Sequence, residues 1–250
     1  MNEYIKNLNR IEFVVTLACT GKCIHCSEGD HMNCTGHIDA DIAVKSIHEV
    51  CKEYKIESLM TFGGEPLMYP EVVARIHKAA TEEGIPKRHI ITNGYFSKDK
   101  IRIEEVANML DESGVQKILL SVDAFHQETI PIDIVKYFAQ CILDTNISLK
   151  VQPAWLVSKE NDNPYNVKTR ELLGKFSEMG IEVASGNVIF PSGNALKYLG
   201  DYFDENKEYI NPYDEDPMDI KTICFNPNGE VLDGNVYEKD IIEIIKEYRQ

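Results

Sequence analysis

The chain carries three cysteines in one eight-residue stretch, Cys19-Thr20-Gly21-Lys22-Cys23-Ile24-His25-Cys26, with the spacing C-x3-C-x2-C. The stretch follows an apolar run, Ile11 to Leu17, whose composition predicts a strand. Thiolates favour zinc, copper(I) and iron–sulfur clusters, and this close spacing lets one loop bind a single centre. The stretch therefore predicts a metal site at the end of the first strand.

The number of protein ligands distinguishes a zinc site from an iron–sulfur cluster, and this stretch has three cysteines with no obvious fourth ligand. A structural zinc site has four protein ligands, and it commonly pairs C-x2-C with a second C-x2-C or an H-x3-5-H unit. No second C-x2-C pair follows in this chain, so the three cysteines favour an iron–sulfur cubane with one open iron. Zinc is the alternative, with the site completed from His25, His31, Cys34 and His37.

The charge balance and the cysteine usage exclude several classes of protein. Asp and Glu outnumber Lys and Arg by 41 to 26, which gives a formal net charge of −15. No run of Lys or Arg could follow a phosphate backbone, so we expect no nucleic-acid partner. No 18-residue apolar stretch and no signal-peptide pattern are present, so we expect no membrane partner and a cytoplasmic location. The seven cysteines do not form a disulfide framework, which agrees with a reducing compartment.

Strand-like and helix-like segments alternate along the chain and predict one large α/β domain with a smaller appendage. Six strands are predicted, over residues 11–17, 58–62, 89–92, 117–122, 147–152 and 181–190. Apolar residues at helical spacing predict helices over 39–54, 71–82, 100–112 and 166–179, and one that begins near Pro131. Cys51 and Cys141 fall on apolar stripes of two helices, so we expect both in the core. The alternation predicts a parallel sheet, either closed into a barrel or open.

Polar and glycine-rich residues follow the predicted strands. Because ligands bind beyond the carboxyl ends of parallel strands, these positions are candidate site residues. The stretch Gly63-Gly64-Glu65-Pro66 follows the second strand, and its glycines allow the backbone to approach a ligand closely. An ordinary turn is the alternative for this stretch. The residues that fall at strand ends are Cys19, Gly63, Asn93, Asp123 and Gln152.

The cysteine stretch and the Gly63-Gly64-Glu65-Pro66 stretch resemble the C-x3-C-x2-C and GGEP motifs of the radical S-adenosylmethionine (SAM) superfamily. His25 departs from the family, which usually has an aromatic residue just before the third cysteine. In that family the three thiolates bind one 4Fe-4S cluster, and the amino and carboxylate groups of SAM chelate the fourth iron. The resemblance implies that the cluster ligands here are Cys19, Cys23 and Cys26.

The resemblance also implies the fold and the residues that contact SAM. It covers about residues 10–191 and implies a (β/α)6 partial TIM-type barrel, to which we assign residues 1–192 as the radical SAM domain. The residues that we assign to SAM binding are Gly63, Gly64, Glu65, Pro66, Asn93, Ser121, Asp123 and Gln152. On this reading Gly64→Val weakens SAM binding far more than cluster assembly, because a β-branched side chain would lie where backbone meets SAM.

Residues 193–250 form the predicted C-terminal extension. Residues 194–218 predict a mobile lid or a solvated segment, because they are rich in acidic residues: Asp201, Asp204, Glu205, Asp214, Glu215 and Asp216. Residues 222–232 predict a hairpin with a Pro-Asn-Gly turn, and a terminal helix follows from Glu238. The hairpin resembles the start of the SPASM and twitch extensions. No cysteine follows Cys224, so we expect no auxiliary cluster.

Two residues are candidates for a direct part in the reaction. We expect Cys224 to donate a hydrogen atom to a substrate radical, because a thiol S–H bond is weak. A buried structural thiol is the alternative for this residue. His126 lies three residues beyond Asp123 and is a candidate to face the substrate, with a structural histidine as the alternative.

The resemblance implies an enzyme that cleaves SAM reductively to methionine and a 5′-deoxyadenosyl radical, which abstracts hydrogen from a substrate. The degenerate extension resembles those of peptide- and natural-product-modifying members, so we expect a peptide or small-molecule substrate. Epimerisation, dehydrogenation and bond formation are all open as outcomes. We expect a low-potential electron donor such as flavodoxin or ferredoxin.

Two alternatives to this function are kept. A glycyl-radical enzyme activase suits the chain length, although such enzymes typically lack the C-terminal hairpin. A non-catalytic iron–sulfur electron carrier or zinc-binding module explains the cysteines. It does not explain the strand-end stretch Gly63-Gly64-Glu65-Pro66.

Overall fold

The chain folds around a seven-stranded sheet. The computed structural model describes residues 2–30, 34–204, 206–209, 211 and 214–249. Its strands are β1 (Arg10–Thr16), β2 (Ser58–Gly63), β3 (Lys87–Thr92), β4 (Lys117–Ser121), β5 (Ser148–Gln152), β6 (Ala154–Trp155), β7 (Glu182–Val183), β8 (Asn187–Val188), β9 (Thr222–Phe225), β10 (Glu230–Val231) and β11 (Gly234–Asn235). Its α-helices are α1 (Ala40–Glu53), α2 (Pro70–Glu82), α3 (Lys100–Glu112), α4 (Ile132–Leu143), α5 (Pro164–Ser177), α6 (Gly193–Leu199) and α7 (Ile241–Glu247).

The main sheet has the order β7-β5-β4-β3-β2-β1-β9, and all its strand pairs are parallel. Side chains alternate between its two faces, as the period of a strand requires. Phe13 of β1 is fully buried and lies beside Thr61 of β2, whose Oγ1 is 3.0 Å from Nε2 of His77 on α2. The helices therefore cover this face. The arrangement is the predicted α/β fold, a partial TIM-type barrel, and that prediction is confirmed.

The sixth predicted strand, over residues 181–190, is wrong in its extent. The structure divides it into β7, which pairs with β5, and β8, which pairs with β6 in a separate two-stranded sheet. Gly186 lies between them with a φ of +79°, a conformation that favours glycine. A Cβ at this position would lie 2.5 Å from the carbonyl oxygen of Pro153, so the chain turns here against the segment that follows β5.

The C-terminal extension contributes a strand to the main sheet. β9 pairs in parallel with β1, so that Cys224 lies beside Glu12 and Phe225 lies beside Phe13. The two phenylalanine rings stack with their centroids 4.7 Å apart. The Pro-Asn-Gly turn predicted within residues 222–232 is present, since the Gly229 amide donates to the Asn226 carbonyl at 2.9 Å, but the strand pairing of the predicted hairpin is wrong. Its first strand belongs to the main sheet, and the antiparallel pairing is between β10 and β11.

Capping side chains set the helix boundaries. The helices α1, α2 and α3 begin within one residue of their predicted starts. The helix α5 begins two residues before its predicted start, because Asn163 accepts a hydrogen bond from the amide of Asn166. The helix α7 begins three residues after Glu238, because Asp240 accepts a hydrogen bond from the amide of Ile242.

Two hydrophobic cores support the sheet and its loops. Cys51 and Cys141 are partly buried and pack against the main core, which confirms their predicted place. A second, smaller core consists of Phe125, Leu156, Ile189, Ala195 and Leu199. Ile24, from the cysteine stretch, packs against this second core. The loop after β1 is therefore supported by residues from the second half of the chain.

None of the described helices is long and apolar enough to cross a membrane. This finding does not test the predicted cytoplasmic location, which stays a prediction. The division of the chain between residues 192 and 193 also stays a prediction, and the pairing of β9 with β1 connects its two parts.

Candidate active site

A cavity of about 610 Å³ lies at the carboxyl ends of the central strands. Its volume is within the range of pockets that bind small molecules. Most of the candidate site residues line it: Cys19, Cys23, Cys26, Gly63, Gly64, Asn93, Ser121, Asp123, His126 and Gln152. The structure therefore brings together residues that are spread over four strand ends and the cysteine stretch.

The cluster loop, which we define as residues 19–29, holds the three candidate ligands at this cavity. Two backbone hydrogen bonds shape it: the Cys26 amide donates to the Cys23 carbonyl at 3.2 Å, and the Gly29 amide to the Cys26 carbonyl at 3.3 Å. Burial raises the pKa of the Cys19 thiol to about 11 and that of Cys23 further. The thiols are therefore protonated at neutral pH without a metal, and metal binding releases their protons.

A second grouping of metal-binding atoms involves His25. A sulfur of Cys23 and ring nitrogens of His25 and His126 lie within 4.8 Å of one another. Burial lowers the pKa of His25 to about 4, so its ring is neutral and able to bind a metal. A zinc ion at this group would leave Cys19 and Cys26 without a role. Three thiols on one loop at one cavity fit an iron–sulfur cluster better.

The other residues of the zinc alternative do not strengthen it. The ring of His37 lies 4.4 Å from that of Tyr69, and its Nδ1 is 2.8 Å from the Ile38 carbonyl oxygen. His37 and Cys34 are not among the described residues that line the cavity. His31 lies outside the described residues, as does Glu205 of the acidic segment.

The glycine pair after β2 is packed against the backbone that leads into the cluster loop. The Gly64 amide donates to the Thr16 carbonyl, and the Glu65 amide to the Ala18 carbonyl, both at 2.8 Å. A Cβ on Gly63 would lie 2.3 Å from the Thr16 carbonyl oxygen, and one on Gly64 would lie 2.2 Å from that of Ala18. Both glycines line the cavity, but the contact that forbids a side chain is with the protein itself. The expectation that Gly64→Val spares cluster assembly does not follow from this packing.

Glu65 is fully buried and is not among the described residues that line the cavity. Its carboxylate accepts hydrogen bonds from Thr92 Oγ1 at 2.7 Å, from the Asn93 amide at 2.7 Å and from the Leu67 amide at 2.9 Å. Burial raises its pKa to about 7, although these donors oppose the rise. The side chain thus joins the end of β2 to the end of β3. Pro66, also buried, begins the short 3-10 helix Pro66–Met68.

Asn93 is positioned by Glu65 and faces the first cysteine. Its amide nitrogen Nδ2 lies 3.6 Å from Cys19 Sγ and 3.3 Å from Thr20 Oγ1. Its Oδ1 accepts a hydrogen bond from the Tyr95 amide at 2.8 Å. A donor beside a thiolate stabilises its negative charge, so Asn93 is placed to support Cys19 as a ligand.

Asp123 and His126 form a buried pair on the loop after β4. The carboxylate of Asp123 accepts from the amides of Phe125, His126 and Ala154 at 2.9 to 3.0 Å, and His126 Nδ1 is 2.8 Å from Oδ2. Burial alone would raise the pKa of Asp123, but the His126 ring and these donors hold it below its usual range. Burial alone would lower the pKa of His126, but the carboxylate of Asp123 raises it. Their predicted contacts with SAM and substrate stay predictions.

Ser121 and Gln152 are neighbours across β4 and β5 and line the same wall of the cavity. The register of the main sheet places Cys224 on this face too, because Cys224, Glu12, Met60, His89 and Lys117 form one row across it. That row lies below the strand ends, and Cys224 is not among the described residues that line the cavity. Burial raises the pKa of its thiol to about 12, so the S–H bond is intact. The hydrogen-donor role stays a prediction that this geometry does not support.

The cavity also contains residues that the sequence patterns do not single out. Asn194 and Tyr198 of α6 line it, together with the segment 187–190 around β8. The polar composition of residues 194–218 indicates a lid or a solvated segment, and a single Asn in it gives no signal. Gly193, directly before Asn194, has a φ of +50°. A glycine next to a polar residue at a helix start is the one local hint of this close contact.

Comparison with protein families and curated proteins places the chain in a known group. The model of the Radical SAM superfamily matches residues 13–191. The GTP 3',8-cyclase of Desulforamulus reducens is 24% identical over 135 residues, which is 52% of this chain and 38% of that relative. The chain thus matches less than two fifths of the length of the curated relatives.

Comparison with solved structures supports the fold over nearly the whole chain. Native anSMEcpe with bound AdoMet has a TM-score of 0.61 at 14% identity, over 97% of this chain and 81% of that one. Streptococcus suis SuiB bound to the precursor peptide SuiA has a TM-score of 0.56 at 13% identity, over 96% of this chain and 65% of that one. At these identities the likeness shows the fold alone.

Proposed function

The chain belongs to the radical SAM superfamily, and we propose that it abstracts a hydrogen atom from a peptide substrate, with a small natural product as the second candidate. It is an enzyme whose cofactors are one 4Fe-4S cluster and SAM. When bound, these cofactors supply the electron and the 5′-deoxyadenosyl radical for hydrogen abstraction. The observation that carries the proposal is the cavity in which three thiols meet the ends of four strands.

The residues of this chain bind and orient the cofactors in the proposed site. Cys19, Cys23 and Cys26 would hold the cluster, and Asn93 would support the first of them through its amide. The backbone at Gly63 and Gly64, with Ser121 and Gln152 on the opposite strands, forms the wall where SAM would lie. The side chain of Glu65 does not line the cavity. It positions Asn93, because its carboxylate accepts a hydrogen bond from the Asn93 amide at 2.7 Å.

The charges at the cavity argue against a nucleoside triphosphate as the substrate, although the matched curated relatives are named GTP 3',8-cyclase. Among the described residues that line the cavity, Lys22 is the one Lys or Arg, and Asp30 and Asp123 carry the opposite charge. Triphosphates are usually bound by several Arg, Lys or metal contacts. A substrate with little negative charge therefore suits this cavity better.

An unpaired strand edge beside the cavity favours a peptide. The Asn187 amide donates to the Pro153 carbonyl at 3.0 Å, and the Ile189 amide donates to the Trp155 carbonyl of β6 at 2.9 Å. The amide and carbonyl of Val188 therefore point away from β6. The sheet that β8 forms with β6 has two strands, and Val188 is 53% exposed. An extended peptide can add to such an edge through its backbone. The solved SuiB structure that the chain resembles is bound to a precursor peptide.

The proposed function is tested by anaerobic incubation of the iron-reconstituted protein with SAM and dithionite, followed by assay of 5′-deoxyadenosine. We expect release of 5′-deoxyadenosine from the wild type and none from Cys19→Ala, Cys23→Ala or Cys26→Ala, because each thiolate holds one corner of one cluster. Cys51→Ala and Cys141→Ala are the matched controls, since both thiols pack against the main core. Zinc at one equivalent with no iron would contradict the proposal.

The electron donor and the substrate need separate assays. We propose a low-potential donor such as flavodoxin or ferredoxin, to be tested by replacing dithionite with each reduced protein. A glycyl-radical activase would need a large protein substrate, whereas the proposed enzyme should convert short peptides. Release of 5′-deoxyadenosine that rises only with a glycyl-radical enzyme would favour the activase.

A further inference from the structure

The start of α6 is bonded directly to the cluster loop. The Asn194 amide donates to the Cys26 carbonyl at 2.9 Å. Its side-chain Nδ2 donates to the carbonyls of Cys23 and Gly29, both at 3.2 Å. One residue of the C-terminal extension thus bonds to the segment that carries two of the three cluster ligands.

The neighbours of Asn194 bring the two backbones into close contact. Ser192 Oγ donates to the Ser27 carbonyl at 3.3 Å. A Cβ on Gly193 would lie 2.3 Å from the Ser27 carbonyl oxygen and 2.7 Å from that of Cys26. The backbones at Gly193 and Ser27 are therefore too close for any side chain at residue 193. Gly193 also has a φ of +50°, a conformation that favours glycine.

Both α6 and the cluster loop pack on the second core. Ala195 and Leu199 are buried in it beside Phe125, and Ile24 of the cluster loop packs on the same core. Hydrophobic packing therefore fixes the position of α6. Because Asn194 is part of α6, its hydrogen bonds hold the cluster loop at a fixed distance from that helix. The carbonyls of Cys23 and Cys26 also accept from amides within the loop, whereas the bond of Asn194 Nδ2 to the Gly29 carbonyl ties the end of the loop to α6. Loss of a hydrogen bond in this part-buried loop is costly, so we expect the loop to become more mobile without the Asn194 side chain.

We propose that Asn194 is a positioning residue for the cluster, which fixes residues 23–29 in the conformation that presents Cys23 and Cys26. On this view the first residues of the extension belong to the cofactor site rather than to a lid over it. The proposal concerns cluster binding, whatever substrate the radical acts on. It does not depend on the peptide assignment.

The test replaces Asn194 by Asp, which has the same size but no N–H donor in its side chain. We expect amide hydrogen exchange in residues 23–29 of the cluster-free protein to become about tenfold faster, with the rest of the chain unchanged. After reconstitution we expect a changed electron paramagnetic resonance spectrum and about tenfold faster iron loss to a chelator. Leu196→Ala is the matched control, because Leu196 lies on the same helix and is 58% exposed.

Wild-type exchange in residues 23–29, together with iron loss no faster than in Leu196→Ala, would overturn the proposal. Asn194→Ser is the second variant, because a shorter neutral side chain removes the donors without adding a charge. If Asn194→Asp does not fold, the Ser variant decides the question by the same two measurements. If the wild-type protein released no 5′-deoxyadenosine while Asn194→Asp still showed the faster exchange and faster iron loss, the proposed function would fail and the role of Asn194 would stand.

Discussion

At the scale of single residues, burial decides the chemistry of several histidines, and His77 is the simplest of them. It is fully buried on α2 with Nε2 3.0 Å from Thr61 Oγ1, and burial lowers its pKa to about 3. The folded protein therefore keeps it neutral, whereas the unfolded chain protonates it below about pH 6.5. Because the unfolded state binds the extra proton between these pH values, stability falls as the pH falls through this window.

We expect His77→Gln to flatten this pH dependence, since an amide at residue 77 does not titrate. Denaturant unfolding of the cluster-free protein between pH 7 and pH 4.5 should show a slope smaller than the wild type by up to about 1.4 kcal/mol per pH unit. Any uniform loss of packing would shift the whole curve without changing its slope. Parallel curves for the two proteins would mean that His77 titrates with the same pKa in the folded and unfolded states.

At the scale of elements, the glycine pair after β2 packs against the loop that follows β1. The end of β2 and the loop after β1 are joined by two backbone hydrogen bonds, and no Cβ fits at Gly63 or Gly64. The glycine pair, which the sequence analysis assigns to SAM binding, is thus also a packing contact between the end of β2 and the loop after β1. Residue spacing identifies such a glycine, but it does not tell which atoms come close to it.

We expect Gly64→Ala to lower iron incorporation as well as SAM binding, because the new Cβ would push on Ala18, next to Cys19. Iron per protein after reconstitution and visible absorbance measure the first effect, and equilibrium binding of SAM measures the second. Gly174→Ala in α5 is the control, since nothing lies within 4 Å of its Cβ, and a gain of up to about 1 kcal/mol is expected there. Full iron content with weak SAM binding would show that Gly64 contacts SAM alone.

The elements that the sequence predicts correctly are those whose pattern is local. Residues 58–62 and 117–122 alternate and lie between polar ends, so their strands are found within one residue. The strand β9 is also found, but its partner is not, because pairing with β1 depends on residues far away in the chain. The role of Asn194 is missed for the same reason. Its three acceptors lie on the cluster loop, and neither the spacing nor the composition around residue 194 reflects them.

At the scale of the whole molecule, the barrel sheet and the extension form one folded unit in this geometry. Phe225 is fully buried and stacks on Phe13, so the last part of the chain shares a core with the first strand. We expect Phe225→Ala to destabilise the protein by about 3 to 5 kcal/mol, as for other buried aromatic residues. Urea unfolding followed by circular dichroism measures this change.

Phe203→Ala is the control for this prediction. Phe203 lies in the extension outside the main sheet and is only partly buried beside the second core, so we expect a smaller loss of stability. The two parts of the chain should unfold in one transition if they share a core. Two separate transitions, with the first one alone shifted by Phe225→Ala, would show that the extension folds by itself.

The pairing of β1 with β9 also has a consequence for protein synthesis. A ribosome completes β1 long before it translates β9. Until then one edge of β1 has no backbone partner, and such an edge can pair with other nascent chains. The Cys19–Cys26 stretch leaves the ribosome just as early, long before Asn194 can bond to it. The cluster loop therefore gains its bonds to Asn194 only after the first residues of the extension have been translated, so we expect the complete cluster site to form late in synthesis.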